Sequence, residues 1–314
     1  MSRPGDRVTS VPVDALPGAA APAVHPWRRF RRNRGALAGL VLLGLIALAC
    51  VASLPFSVRR FNEMELESNR RPPTAAAPFG YDFLGRDLLA RVLLGGAISL
   101  GIGVAAAGIS VTIGVLWGAT SALAGGRVDN VMMRVVDILY GLPYILLVIL
   151  LKIAFEPMLV RAVGNAHAAN IVVLFVAIGS VSWLTMARVI RGQVLSLKAQ
   201  PFVEAARAAG IGPVRILWRH LMPNLIGPIV VYATLTVPSA ILQESFLSFL
   251  GIGIAPPVPT WGSLAADGVN AINTVVSFWW LIVFPCLFLG LTLLCLNFVG
   301  DGLRDAFDPR QSVQ

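Results

Sequence analysis

The chain has 314 residues, 56% of them hydrophobic and only 13% charged, against about 25% charged in soluble domains. With a mean hydropathy of +0.77, this excludes a disordered chain, a coiled coil and a secreted disulfide scaffold, and points to an integral membrane protein. The net charge of +9 leaves nucleic acid, anionic lipid and membrane topology open as its cause.

Residues 1–26 are rich in Ala, Pro and Val without helical periodicity and read as a disordered cytoplasmic tail. A spanning helix needs about 20 mostly apolar residues. Charge-poor runs place six: Gly35 to Val58, Val92 to Gly126, Val131 to Phe155, one within Ala162 to Ala187, Leu221 to Gln243, and Gly268 to Gly300 with its helix starting near Thr274. The second run is long for one span and short for two. The first is too long for a signal-peptide core and lacks a convincing cleavage site, so it reads as an uncleaved signal-anchor. An even number of spans puts both termini on one side. With the termini inside, segments 1–34, 127–137, 188–220 and 301–314 hold 17 of the 25 Lys and Arg and 8 of the 16 acids. The whole net charge then lies inside, as the positive-inside rule requires. The cluster Arg28, Arg29, Arg31, Arg32 and Arg34 is the strongest single signal. A nucleic-acid role has no aromatic-interleaved basic surface to support it. The sequence thus divides into the tail, an N-terminal span with an outer connector (27–91), a five-span core (92–310) and a short tail (311–314).

Two connecting segments are long enough to act. The outer one, Arg59 to Arg91, ends in Phe79-Gly80-Tyr81-Asp82-Phe83-Leu84-Gly85-Arg86-Asp87. That stretch reads as a turn leading into a helix, which Asp87 caps by accepting from free backbone N–H groups. It is either an interfacial connector or a surface for a partner. The inner segment, about 198–220, reads as a helical hairpin. Pro201 fits a first helical position, Phe202 to Ala209 is Ala-rich, Gly210 stops the helix and Gly212-Pro213 turns the chain. In the second helix Val214, Leu217, Trp218 and Leu221 form an apolar stripe at i, i+3, i+4 and i+7. A hairpin too small for its own core leans on something else, and a cytoplasmic partner fits better than a DNA groove.

Cys50, Cys286 and Cys295 all lie in spans, and His25, His167 and His220 are far apart, so no metal site is expected. The only lysines, Lys152 and Lys198, do not follow a glycine, which excludes a Walker A phosphate loop. Apart from the span edges no titratable group is expected in mid-membrane, which argues against proton coupling. Gly35-x3-Gly39 and Gly114-x3-Gly118 permit close helix packing, within the subunit or between subunits. Pro143, Pro223, Pro228, Pro238 and Pro285 mark kinks or hinges. The outer, largely uncharged segment from Ser245 to Asp267, with Pro256-Pro257 and Trp261, reads as an interfacial or gating element.

The hairpin resembles the EAA loop of bacterial ABC importer permeases: Glu204-Ala205-Ala206, three residues, Gly210, nine residues, then His220-Leu221-Met222-Pro223. His220 and Met222 stand where Ile and Leu are usual. The outer motif, Gly125-Gly126-Arg127-Val128-Asp129, Glu244-Ser245-Phe246-Leu247-Ser248 and Gly300-Asp301-Gly302-Leu303-Arg304-Asp305 also fit the peptide/nickel permease family, with Tyr81 where Thr is usual. The likeness covers roughly residues 27–310 and is nearest to the C-type permease of oligopeptide and dipeptide importers. It implies an all-α membrane protein of six spans, type I ABC importer permease-like, without catalysis of its own. The implied partners are a second, B-type, permease subunit, two ATPase subunits that hold the ATP and Mg, a periplasmic or lipid-anchored substrate-binding protein, and membrane lipid. Glu204, Ala205, Ala206, Gly210 and Pro223 would belong to the ATPase-coupling loop, and Gly80, Asp82, Gly85, Arg86 and Asp87 to the family's outer motif. A self-contained secondary transporter and a membrane enzyme are weaker alternatives, and nickel complexes are an alternative cargo.

Overall fold

A computed structural model of the protein describes residues 26–272 and 276–307. The expected tails and the expected helix start at Thr274 lie outside them, apart from Pro26, which opens the first helix. The described chain is helical, with one isolated bridge, Tyr81 to Asp87. In order come α1 Pro26–Arg32, α2 Arg34–Ala52, α3 Leu54–Arg60, α4 Leu88–Ala124, α5 Gly126–Tyr140, α6 Tyr144–Val163, α7 Ala166–Lys198, α8 Pro201–Ala208, α9 Pro213–Ile216, α10 Met222–Phe249, α11 Trp261–Asn270 and α12 Trp280–Phe307.

Among the described residues, five helical stretches are long and apolar enough to cross a membrane: α2, α4, α7, the continuous run Pro213–Phe249 and α12. The run expected as a third straight span is instead a broken pair. Helices α5 and α6 meet at 95° around Gly141 to Pro143. Proline has no N–H to donate and pushes the preceding residue out of the helical region, so Leu142 cannot continue α5 into Pro143. The long second run is a single helix of 37 residues. The described part of the last span begins at Trp280, later than the sequence suggested.

Helix α4 is the central post. Ser99, Ile102, Ala106 and Ser110 on it are fully buried, and α7, α10 and α12 pack around it. Small residues let the backbones meet. A Cβ on Gly118 would collide with the carbonyl oxygen of Ala187, and one on Gly114 with the side chain of Met186, both on α7. On α2, a Cβ at Gly39 would stand 3.1 Å from the Cys295 carbonyl of α12. Gly114, Gly118 and Gly39 therefore serve helix packing inside this subunit, whereas Gly35 is exposed. Replacing Gly118 by Val is expected to destabilise the solubilised protein by about 1–3 kcal/mol, because a packed seam has no room for added methyl groups. A thermal melt of the detergent-solubilised chain checks this.

Among the described residues, three of the five packed clusters run along the bundle. One joins Val115, Ala119 and Ala122 of α4 to Met186, Ile190 and Val194 of α7, and to Val203, Ala206, Leu217, Leu221 and Leu225. A second lies midway, around Ile102, Leu174 and Ala240. The third closes the opposite end around Trp261, Trp280, Cys50 and Leu88. The segment after α10 packs into this third cluster. Trp261 is fully buried and donates its indole N–H to the Val92 carbonyl at 3.0 Å. Thr260 and Ser263 form a reciprocal cap on α11.

Candidate functional site

The hairpin forms where the sequence places it. Pro201 opens α8, and Gly210 follows it with φ of 76°, a left-handed conformation that glycine adopts without strain. The Gly210 N–H donates to Arg207 at 2.9 Å and Ile211 to Ala206 at 3.1 Å, closing the helix end. The second helix differs from the expectation. It does not end at the membrane side of the hairpin but runs through a π turn, Leu217–Leu221, straight into α10. Pro223 sits just beyond that turn. It has no N–H for the Arg219 carbonyl, and a wide turn accommodates the gap. The π turn also breaks the expected stripe: Leu217 and Leu221 are buried with Ile216 and Leu225, whereas Val214 is 60% and Trp218 56% exposed.

The predicted loop residues thus split by face. Val203 and Ala206 turn inward against α4 and α7. Glu204, Ala205 and Gly210 are exposed, as are Phe202 and Arg207. Ala206 fixes the hairpin to its own subunit, and the open face consists of Phe202, Glu204, Ala205, Val214 and Trp218. Because α8 packs on α7 and on α9, and α9 continues into α10, a push on this face reaches two long helices, α7 and α10.

An ionic knot braces the same end. Gly125 and Gly126, both at positive φ, turn the chain from α4 into α5. Asp129 accepts two hydrogen bonds from the Arg191 guanidinium, each at 2.6 Å, and one from the Ser121 hydroxyl. Lys198 donates to the Ala122 carbonyl at 2.7 Å. Arg188 pairs with Asp137 at 2.9 Å and lies over the Tyr140 ring.

The outer motif is a clamp. Asp82 is 3% exposed, and its carboxylate accepts from the backbone N–H groups of Leu84 and Arg86, from Arg86 Nε at 2.7 Å and from Arg91. Arg91 also reaches Asp267 on α11 at 3.8 Å. Burial pushes the Asp267 carboxyl up, against the opposing pull of Arg91. Gly80 and Gly85 take positive φ, and side chains there would strike the Arg71 and Glu65 carbonyls. Asp87 caps α4 as expected, accepting from Leu89 at 2.9 Å and Ala90 at 3.2 Å. These residues lock a connector onto the ends of α4 and α11. Arg91 and Asp267 complete the clamp but lie outside the predicted motif. Their place in it depends on a contact across 176 positions, to which local pattern is blind.

Titratable groups do enter the long helices. Glu244, one residue past the predicted fifth span, lies inside α10 and is fully buried, accepting from the hydroxyls of Ser248 at 2.6 Å and Ser99 at 3.3 Å. Lys152 on α6 donates to the carbonyls of Ile252 and Gly253, each at 2.7 Å. Asn170 bridges Glu156 to the Ala255 N–H. Together these tie α6 and α7 to the loop before α11. Lys152→Met is expected to speed amide exchange in residues 252–255 at least about tenfold, since a hydrogen bond to a charged group is worth about 1.5–3 kcal/mol. Hydrogen–deuterium exchange mass spectrometry reads this.

Long apolar helices around a central post, with a hairpin continuous with one of them, define a helical membrane protein. The fold is shared with a solved structure described as inward-facing conformations of the MetNI methionine ABC transporter, at a TM-score of 0.55 and 19% identity over 70% of this chain and 98% of that one. The chain belongs to the family of binding-protein-dependent transport system inner membrane components, whose family model matches residues 110–313. Residues 25–73 match a second model, the N-terminal TM domain of oligopeptide transport permease C. Among similar proteins is the oligopeptide transport system permease protein OppC of Escherichia coli, 47% identical over 90% of this chain and 89% of its own. Its Haemophilus influenzae counterpart is 44% identical over 90% and 87%. The dipeptide transport system permease protein DppC of Bacillus subtilis is 43% identical over 90% and 84%.

Proposed function

We propose that this chain is the C-type permease subunit of a peptide ABC importer in a bacterial inner membrane, with oligopeptides as cargo. The broken pair α5–α6 serves as the remaining span, giving six, with both termini in the cytoplasm. The charge distribution supports that orientation, because 17 of the 25 Lys and Arg then lie inside. The subunit pairs with a B-type permease subunit and two ATPase subunits, and a periplasmic or lipid-anchored binding protein delivers cargo. ATP and Mg belong to the ATPase subunits, and this subunit needs no cofactor.

The observation that carries the coupling role is the two-faced hairpin. Its inner face is sealed into the cluster of α4, α7 and α10, while Phe202, Glu204, Ala205, Val214 and Trp218 stay open. Closure of the ATPases against that face moves the attached helices as packed bodies. The likeness to a dipeptide permease supports a second cargo, dipeptides. Reconstitution tests the reading. Labelled oligopeptide enters proteoliposomes only when both permeases, both ATPases, the binding protein and ATP are present. Uptake by this chain alone would favour a self-contained transporter and sink the proposal.

A further inference from the structure

At the break between α5 and α6 a cleft of about 330 Å³ opens between that elbow, α7 and α10. Its walls include Tyr140 and Tyr144 from the elbow, Ser182 and Thr185 from α7, and Gln243 from α10. Two of these residues carry buried oxygens with no protein partner, the Tyr144 hydroxyl and Gln243 Oε1. Neighbouring hydroxyls on α4 and α7 are satisfied: Ser182 donates to the Ile178 carbonyl at 2.9 Å and Ser110 to the Ser182 carbonyl at 3.0 Å. A buried polar group without a partner costs about 1–3 kcal/mol. Two such groups close behind the wall of one cleft are a cost that a ligand removes once the cleft widens and uncovers them.

The chemistry of the wall selects the ligand. No Asp, Glu, Lys or Arg lines the cleft, so it neither attracts nor traps a charged group. It offers a hydroxyl that donates and accepts and a carboxamide that does both. These match an amide, and a passage must bind well enough to admit and weakly enough to release. Leu139, Leu142, Val181 and Leu184 supply apolar flanks.

We propose that this cleft is a station on the transport path where Tyr144 and Gln243 hydrogen-bond a main-chain amide of the passing peptide. Contact to the main chain reads no side chain, which suits cargo of varied sequence. The inference rests on the peptide-permease reading above. Helix α7 and the elbow meet here, so movement of the hairpin at the far end of α7 changes the width of the cleft.

The test uses the fully assembled importer in proteoliposomes. Wild-type uptake of a labelled oligopeptide is measured first; its failure would count against the permease reading and not against the cleft. With uptake established, Tyr144→Phe, which removes only the hydroxyl, and Gln243→Leu are each expected to lower uptake about tenfold per assembled complex, the effect of one lost hydrogen bond to cargo. In a second measurement Thr185→Cys, in a chain with the exposed Cys286 replaced by Ser, reacts with a maleimide in the resting complex. Saturating peptide, binding protein and ATP are expected to protect it. Unchanged uptake in both variants, or alkylation indifferent to cargo, overturns the proposal. Failure of Tyr144→Phe to assemble with the second permease also overturns it, since the cleft is then a subunit seam.

Discussion

Asp82→Ala is expected to lower the melting temperature of the solubilised protein by about 10 °C. Among the described residues the carboxylate is the one acceptor that both Arg86 and Arg91 share, and the three side chains are each about 4% exposed. Removing it leaves the buried Arg86 guanidinium without its carboxylate and Arg91 with only the more distant Asp267, and breaking a buried ion pair from one side costs about 3–5 kcal/mol. In a chain of this size each 1 kcal/mol shifts the melt by about 2–4 °C. Asp82→Asn keeps an oxygen for the Leu84 and Arg86 N–H groups and is expected to fall between alanine and wild type. A melt within about 2 °C of wild type for the alanine variant would show the clamp to be incidental.

The second large effect concerns the hairpin. Glu204→Arg is expected to reduce ATP-driven uptake about a hundredfold, the weight of a central charged contact reversed at an interface. The variant should still fold. Glu204 is exposed and stands in the first turn of α8, where reversing a charge costs the helix only about 0.5–1 kcal/mol. Gly210→Pro acts differently. Proline fixes φ near −65°, whereas Gly210 stands at 76° and donates its N–H to Arg207. The cap opens and the face loses its shape, so co-purification with the ATPase subunits should fail as well. Uptake and ATPase association at wild-type level in both variants would remove the hairpin from coupling.

Much of this was legible in the sequence because it is local. Asp87 as a cap, Pro201 as a helix start and Gly210 as a stop depend on neighbours within a few positions, and all three stand as read. Long apolar runs gave α2, α4, α7 and α10 for the same reason. Three features escaped. Hydropathy averages over the elbow at Gly141 to Pro143 and cannot see a 95° bend. A fixed period of 3.6 fails across a π turn, which is why Val214 and Trp218 face outward and not into the stripe. Counting charge-free residues ended the fifth span before Glu244, although Ser99 and Ser248 let that carboxyl stay inside the helix bundle. The clamp shows a similar limit: its motif was visible, but its reason, Arg91 and Asp267 meeting around Asp82, is tertiary.

The two faces of α8 give the central claim its most direct test. Single cysteines at Glu204, Ala205 and Ala206, in a chain with Cys286 replaced by Ser, are treated with a short thiol crosslinker in the assembled importer. Glu204→Cys and Ala205→Cys should crosslink to the ATPase subunit, and more strongly when it holds ATP. Ala206→Cys, packed against α4 and α7, should not. Crosslinks absent from all three, or confined to Ala206→Cys, would contradict a hairpin that docks by its open face.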